Sequence, residues 1–246
     1  MIIGGLQKFS LLDYPERVSA IVFTQGCNFR CQFCYNPMLV WPVRVSKSKY
    51  VQAKIAGQQK DHPGVKEDDL FVFLESRAGK LDAVVITGGE PTLQPDLPEF
   101  IKKIKKFGFL VKLDTNGSNP EMLSRLLKDK LVDYVAMDLK APAEKYQLVI
   151  GKKIDFKNIR KSVKIIMQSG LPHEFRTTVA SGLLNKDDIA VMGKIIKGAD
   201  KWYLQNFKSN IDLVNQTLKG RVPYNARQMK EMAEIGAKLV KICEVR

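Results

Sequence analysis

The sequence predicts an α/β fold: a partial barrel of six parallel strand–helix units, (β/α)6, with outer helices and a single domain. Three observations carry this expectation. Six short runs are almost continuously apolar and rich in Val, Ile, Phe and Tyr, as strands buried on both faces are. Helical patterns alternate with them, which implies right-handed parallel crossovers. Each run also ends in a polar or glycine-rich group, where an α/β barrel builds its active site. Six units fall short of the eight of a closed barrel, so the barrel is expected to be open.

The expected strands are Ser19–Thr24, Asp82–Thr87, Phe109–Asp114, Val132–Asp138, Glu174–Val179 and Trp202–Asn206. The first runs into a cysteine loop, residues 25–37. A probable insertion, residues 41–65, follows; its stretch Arg44–Lys60 has five basic residues and no acid, and it reads either as a partner-docking loop or as a solvated insertion. Helix Lys66–Ala78 carries Leu70, Phe71, Phe73 and Leu74. The second strand ends in Thr87-Gly88-Gly89-Glu90-Pro91, and helix Leu97–Phe107 comes next. The third ends in Asp114-Thr115-Asn116-Gly117, before helix Glu121–Lys128. The fourth ends in Asp138-Leu139-Lys140 and leads to helix Phe156–Gln168. The fifth carries Arg176, Thr177 and Thr178, and helix Lys186–Lys197 follows. The sixth ends in Gln205-Asn206. A last helix, Ala226–Cys243, places Met229, Met232, Ala233, Gly236, Leu239, Val240 and Cys243 on one face, so Cys243 reads as a packed core thiol.

Composition narrows the function. The chain has 246 residues, 45% of them hydrophobic, enough for one large core. No run of about 18 apolar residues occurs, so no membrane span is expected. The N-terminus holds acids and a proline where a signal peptide needs an apolar stretch, and the expected location is the cytosol. Thiols stay reduced there, so clustered cysteines read as metal-binding or catalytic. The net charge is +14, from 40 basic and 26 acidic residues, a balance that often marks a nucleic-acid partner. The lysines are dispersed, however. Lys102, Lys103, Lys105 and Lys106 alternate with Ile101, Ile104 and Phe107 as the solvated face of a helix would. Two histidines and no Ser/His/Asp arrangement leave little for acid–base catalysis.

Cys27, Cys31 and Cys34 are spaced C-x3-C-x2-C, and the only other cysteine, Cys243, lies far along the chain. Three thiolates can hold three corners of a four-iron cube and leave the fourth iron open, whereas electron-transfer clusters are normally closed by four cysteines. An open metal position marks a site that binds substrate. The competing reading is a zinc site with His62 as fourth ligand. Gly88-Gly89-Glu90 and Asp114-Thr115-Asn116-Gly117, each taken alone, are also good turns. Asp138 and Lys140 alone could be an exposed charge pair. Their joint placement at strand ends favours one pocket.

Cys27-Asn28-Phe29-Arg30-Cys31-Gln32-Phe33-Cys34, followed by Gly88-Gly89-Glu90 after the second strand, resembles the radical S-adenosylmethionine superfamily from Ser10 to about Phe207. The resemblance implies a [4Fe-4S] cluster on Cys27, Cys31 and Cys34, with S-adenosyl-L-methionine as cofactor. It implies cofactor contacts from Gly88, Gly89 and Glu90 to the amine and from Lys140 and Arg176 to the carboxylate. Asp114 and Asp138 are implied for the amine, the ribose or a bound cation. Thr115, Asn116 and Gln205 join the set, with Gln205 and Val179 at the nucleoside end; no further catalytic side chain is implied. The implied chemistry is one-electron cleavage of the sulfonium to methionine and a 5′-deoxyadenosyl radical.

Ser10-Leu11-Leu12-Asp13-Tyr14-Pro15, Phe23-Thr24-Gln25-Gly26-Cys27 and Cys34-Tyr35-Asn36-Pro37 look most like activating enzymes of glycyl radical enzymes, in particular the anaerobic ribonucleoside-triphosphate reductase activating group. Two departures stand out: Asp13-Tyr14-Pro15-Glu16 replaces Asp-Gly-Pro-Gly, and no ferredoxin-like module with extra cysteines is inserted. The implied partners are a glycyl radical enzyme and an electron donor such as flavodoxin or ferredoxin. Neither membrane nor nucleic acid is expected. The alternatives are a radical enzyme acting on RNA or a small nucleoside precursor, and a zinc-stabilised nucleic-acid-binding module.

Overall fold

The computed structural model describes residues 1–41 and 64–246. The basic stretch Arg44–Lys60, His62 and most of the expected insertion lie outside the described residues. Contacts group the described chain into two compact units: Met1–Asn28, Asn36–Asp114 and Arg125–Tyr134 form one, and Phe29–Tyr35, Thr115–Ser124 and Val135–Arg246 the other.

In the first unit β1 (Ile3–Ser10) runs antiparallel to β2 (Ser19–Thr24). Parallel to β2 follow β3 (Ala83–Gly88) and β4 (Leu110–Thr115), with Ile21 beside Val85 and Val85 beside Lys112. One strand face carries a core of Tyr14, Ile21, Ala83, Val85 and Tyr134, edged by Phe23 and Leu110. A one-turn helix, α1 (Pro37–Val40), follows the cysteine loop. Helices α2 (Glu67–Glu75) and α3 (Leu97–Lys105) bury Leu70 and Leu74, and Leu97, Phe100, Ile101 and Ile104, as single apolar stripes. Their lysines are ion-paired at the surface: Lys102 with Glu99, Lys103 with Glu67 and Lys105 with Asp133. Much of this basic charge is therefore matched locally.

In the second unit β5 (Tyr134–Asp138), β6 (His173–Val179), β7 (Lys201–Asn206) and β8 (Ile242–Val245) are parallel in chain order. The register sets Asp138 beside Arg176 and Thr178 beside Gln205. Its helices, in chain order, are the first part of α4 (Pro120–Lys128), then α5 (Ala143–Ile150), α6 (Phe156–Gln168), α7 (Lys186–Ile195) and α8 (Ala226–Ala237). Among the described residues no helix is long and apolar enough to cross a membrane.

The six expected strands and the first five expected helices are present with small shifts at their ends, the sixth helix is shorter than expected, and three further elements matter. β1 escaped the hydrophobic pattern because it is an antiparallel edge strand exposing Gln7, Lys8 and Phe9. α5 was missed although Pro142 and the left-handed Gly151 bracket it as start and stop signals. β8 corrects the last helix. α8 ends at Ala237, and Cys243 lies on β8 beside Trp202 of β7. The β-branched run Val240, Ile242, Val245 favours a strand, while Leu239, Val240 and Cys243 happen to continue the helical stripe. The Cys243 thiol is half-buried, not in the core. Burial, then the neighbouring Glu244, pushes it up to about 12, which makes it an unreactive thiol.

Trp202, fully buried, donates its indole N–H to Thr177 Oγ1 at 2.9 Å. Thr177 in turn donates to the carbonyl of Leu139 at 2.8 Å, between Asp138 and Lys140. The core of β7 thereby braces a strand end that carries charge. Trp202→Ala should cost about 3–5 kcal/mol in urea unfolding through the cavity it leaves. A loss below about 1 kcal/mol would show that this bracing is not used.

Candidate functional site

In the first unit the turn after β3 is built against the cysteine loop. Gly88 has φ +109°, and a Cβ there would lie 2.4 Å from Thr24 N. A Cβ on Gly89 would lie 2.1 Å from the Gly26 carbonyl oxygen. No other side chain fits such an approach. The same carbonyl accepts the Glu90 amide at 2.9 Å, and the Gly89 amide donates to Thr24 O at 2.8 Å. The loop is also tied forward: the Gly26 and Cys27 amides donate to the Leu39 and Val40 carbonyls at 2.8 and 3.0 Å. Gln25 Nε2 donates to Met38 O and Trp41 O. Glu90 is 1% exposed, and its Oε1 accepts from both the amide and the hydroxyl of Thr92. One carboxylate oxygen thus caps the short turn Pro91–Leu93.

In the second unit α5 anchors the rest of the loop. Helices end with carbonyls that lack helical partners. Here the Ile150 carbonyl accepts the Arg30 amide at 2.8 Å, and the Val149 carbonyl accepts the Gln32 amide at 3.1 Å. Gly151, at φ +62°, permits this approach, since a Cβ would lie 2.7 Å from Arg30 O. The opposite side is held by Val214, whose amide donates to Cys34 O at 3.2 Å, and by Asn215, whose amide donates to Gln32 O at 3.0 Å. Tyr35 stacks on Phe207 with centroids 6.4 Å apart and accepts the Lys208 amide.

Charge converges beside Cys31. Lys140 Nζ donates to Asp138 Oδ2 at 2.9 Å, and Arg176 Nε donates to Asp138 Oδ1 at 2.9 Å. The Lys140 ammonium also stands 5.8 Å from the Phe33 ring centroid. Burial alone would raise Asp138, but the Arg176 and Lys140 cations overcome it and hold the carboxyl far below its usual range. Burial would lower Lys140, yet the Asp138 carboxylate, then Cys31, hold it above the usual lysine range. Tyr146 is pushed up by burial, against the opposing pull of Lys140.

The signs fix the pH window. The Asp138 contribution is complete above the ordinary aspartate value of about 4 and is lost only as pH falls through its depressed folded value. The Lys140 contribution is complete below the ordinary lysine value of about 10.4 and is lost as pH rises through its raised one. The group is ionised throughout the range between. None of the four cysteines forms a disulfide. The Lys140 cation stands beside Cys31. Among the described residues no group of three His, Cys, Asp or Glu side chains is gathered as a single metal ion would need; Cys31 is buried, and Cys27 and Cys34 are half-buried.

The other expected residues are placed as follows. Asp114 is 8% exposed and pairs with Lys112 at 3.2 Å. Thr115 Oγ1 accepts the Gly117 amide and Asn116 Oδ1 the Ser118 amide, so both shape the turn after β4. Gln205 Oε1 accepts from Thr178 Oγ1 at 3.5 Å. The Val179 side chain is in the core. Sequence reading passed over Lys112, Tyr146 and all of α5. A lysine inside an apolar strand run was the available signal for Lys112.

Gly89→Ala drives a Cβ into a backbone carbonyl, so the loop and strand end must part. It should lower thermal stability and weaken cluster retention after anaerobic reconstitution, whereas Gly79→Ala, with open space around its Cβ, should leave cluster retention unchanged. Equal cluster retention in the two variants would contradict the close-approach account.

Comparison with known proteins agrees with this geometry. The profile of the Radical SAM superfamily matches residues 21–194. A Methanocaldococcus jannaschii protein whose name assigns it to glycyl-radical enzyme activation is 32% identical over 244 residues, 97% of this chain and 93% of that protein. The pyruvate formate-lyase-activating enzyme of Streptococcus mutans is 27% identical over 80% of this chain and 72% of its own length. A protein named as a GTP 3′,8-cyclase in Pyrococcus horikoshii is 25% identical over 82% of this chain and 56% of its own. In fold, the chain is similar to Streptococcus suis SuiB, with TM-score 0.60 and 13% identity over 92% of this chain; it spans about half of SuiB, 48%. The α/β class with parallel strands, expected from strand–helix alternation, is thus the observed one. The chain belongs to the radical SAM superfamily, enzymes that work with a [4Fe-4S] cluster and S-adenosylmethionine.

Proposed function

We propose that this enzyme activates a glycyl radical enzyme, by removing a hydrogen atom from a glycine of that partner. The observation that carries the reading is the near full-length match to the Methanocaldococcus jannaschii relative, in contrast to the cyclase, of which the chain spans little more than half. When bound, the cluster supplies one electron to S-adenosylmethionine, and the products are methionine and a 5′-deoxyadenosyl radical.

The chain's own residues bind and orient. Cys27, Cys31 and Cys34 hold the cluster. The backbone at Gly88 and Gly89 and the second carboxylate oxygen of Glu90 take the ammonium group of the methionyl moiety. Lys140 and Arg176, both already bridged by Asp138, present N–H donors to its carboxylate. Asp114 and Asp138 serve the amine, the ribose or a cation. Thr115 and Asn116 shape the neighbouring turn, and Gln205 faces the nucleoside. We extend the functional domain over residues 1–246, in the cytosol, with flavodoxin or ferredoxin as reductant.

The finer choice of partner is anaerobic ribonucleoside-triphosphate reductase, supported by the blocks Ser10–Pro15, Phe23–Cys27 and Cys34–Pro37. A second reading, a radical enzyme acting on a small nucleoside precursor, is favoured by the likeness to the GTP cyclase. Electron paramagnetic resonance separates them. Anaerobically reconstituted enzyme, reductant, S-adenosylmethionine and the reductase should give a glycyl doublet on the reductase. No doublet, with turnover of GTP in its place, would move the assignment to the second reading.

Single Cys→Ala variants test the ligand set. Changes at Cys27, Cys31 or Cys34 should strip iron and sulfide, while Cys243→Ala should retain both. Loss of the cluster from a folded Cys243→Ala protein would refute three-cysteine ligation.

A further inference from the structure

We infer that Lys112 is a positioning residue that fixes Asp114, and that the turn Ser10–Pro15 exists in part to hold Lys112 in place. The inference rests on the proposed contact of Asp114 with the cofactor. All the groups involved lie in the first unit. Lys112 is 2% exposed, inside the strand face formed by Tyr14, Ile21, Val85 and Tyr134. Its ammonium donates to the Asp13 carbonyl oxygen at 2.6 Å. It pairs with Asp114 Oδ1 at 3.2 Å. It lies 5.6 Å from the Tyr134 ring centroid.

The Asp13 carbonyl is itself held. Ser10 Oγ donates to the Asp13 carboxylate and accepts the amides of Leu12 and Asp13 at 3.1 and 3.3 Å. Tyr14 then packs on Tyr134, with centroids 5.7 Å apart. A closed turn thus aims one carbonyl at one ammonium, and that ammonium at one carboxylate. A buried lysine is a poor means of stabilising a fold, because desolvating the ion offsets the attraction and an apolar residue would pack there without that cost. What Lys112 provides is placement: Asp114 is fixed in position at the carboxyl end of β4, before any ligand arrives. This also gives a role to Ser10-Leu11-Leu12-Asp13-Tyr14-Pro15, which cluster and cofactor binding leave unexplained.

A double-mutant cycle tests the link. Equilibrium binding of S-adenosylmethionine is measured on anaerobically reconstituted wild type, Lys112→Met, Asp114→Asn and the double variant, with iron content and thermal midpoint as controls. Lys112→Met should weaken binding about tenfold at unchanged iron content, and add nothing once Asp114 is Asn. Lys112→Arg should recover part of the loss. Ser10→Ala, which frees the turn without touching the buried cation, should weaken binding less and also only while Asp114 is present; it carries the test if Lys112→Met does not fold. Wild-type affinity in Lys112→Met, or losses that multiply in the double variant, would overturn the inference. Wild-type affinity in Asp114→Asn would overturn the cofactor role of Asp114 on which it rests.

Discussion

The space where a side chain on residue 89 would begin is filled by the carbonyl oxygen of Gly26. Much of the first unit follows from that one contact. It brings the end of β3 against the residue before Cys27, so the Glu90 amide can use the same carbonyl. The loop then has one path forward, tied to the carbonyls of Leu39 and Val40. The second unit solves the same problem differently. There the unsatisfied carbonyls at the end of α5 take the amides of Arg30 and Gln32, and Gly151 supplies the close approach. The cysteine loop is thus held by backbone groups at both ends.

Electrostatics adds specificity at a cost in stability. Asp138 and Lys140 would each be penalised by burial; the Arg176 and Lys140 cations keep the first charged and the Asp138 carboxylate the second. Such a group is an inefficient way to stabilise a fold and an effective way to recognise a zwitterion, since its donors are oriented beforehand. Lys112 and Asp114 form a second buried ion pair in the first unit. The surface lysines behave otherwise. Lys102, Lys103 and Lys105 of α3 are matched by Glu99, Glu67 and Asp133, so these three form no unopposed basic stripe for nucleic acid.

What could be read in the sequence was what periodicity and local chemistry encode. Strand Ser19–Thr24 and helix Phe156–Gln168 were legible to the residue, because their apolar patterns are unbroken and their ends carry Thr24 and the N-cap Asp155. The strand-end motifs were legible because polar residues seldom end an apolar run without reason. β8 was not, because Leu239, Val240 and Cys243 satisfy a helical period by coincidence, and only pairing with β7 decides between helix and strand. Lys112 was hidden for a related reason. Its partners are Asp13, distant in sequence, and Asp114, two positions on, and the first of these contacts exists only in the folded chain. The capping bond from Glu90 to Thr92 was equally invisible, as Gly-Gly-Glu names the residues and not where each oxygen points.

In the proposed site three cysteines leave one iron of the cluster open, and S-adenosylmethionine binds there. Electron paramagnetic resonance of the reduced, reconstituted protein, recorded before and after adding S-adenosylmethionine with no partner present, tests it directly. Ligation at the open iron should change the g-values of the cluster signal, and the change should persist in Cys243→Ala. A cluster spectrum indifferent to S-adenosylmethionine would contradict the claim.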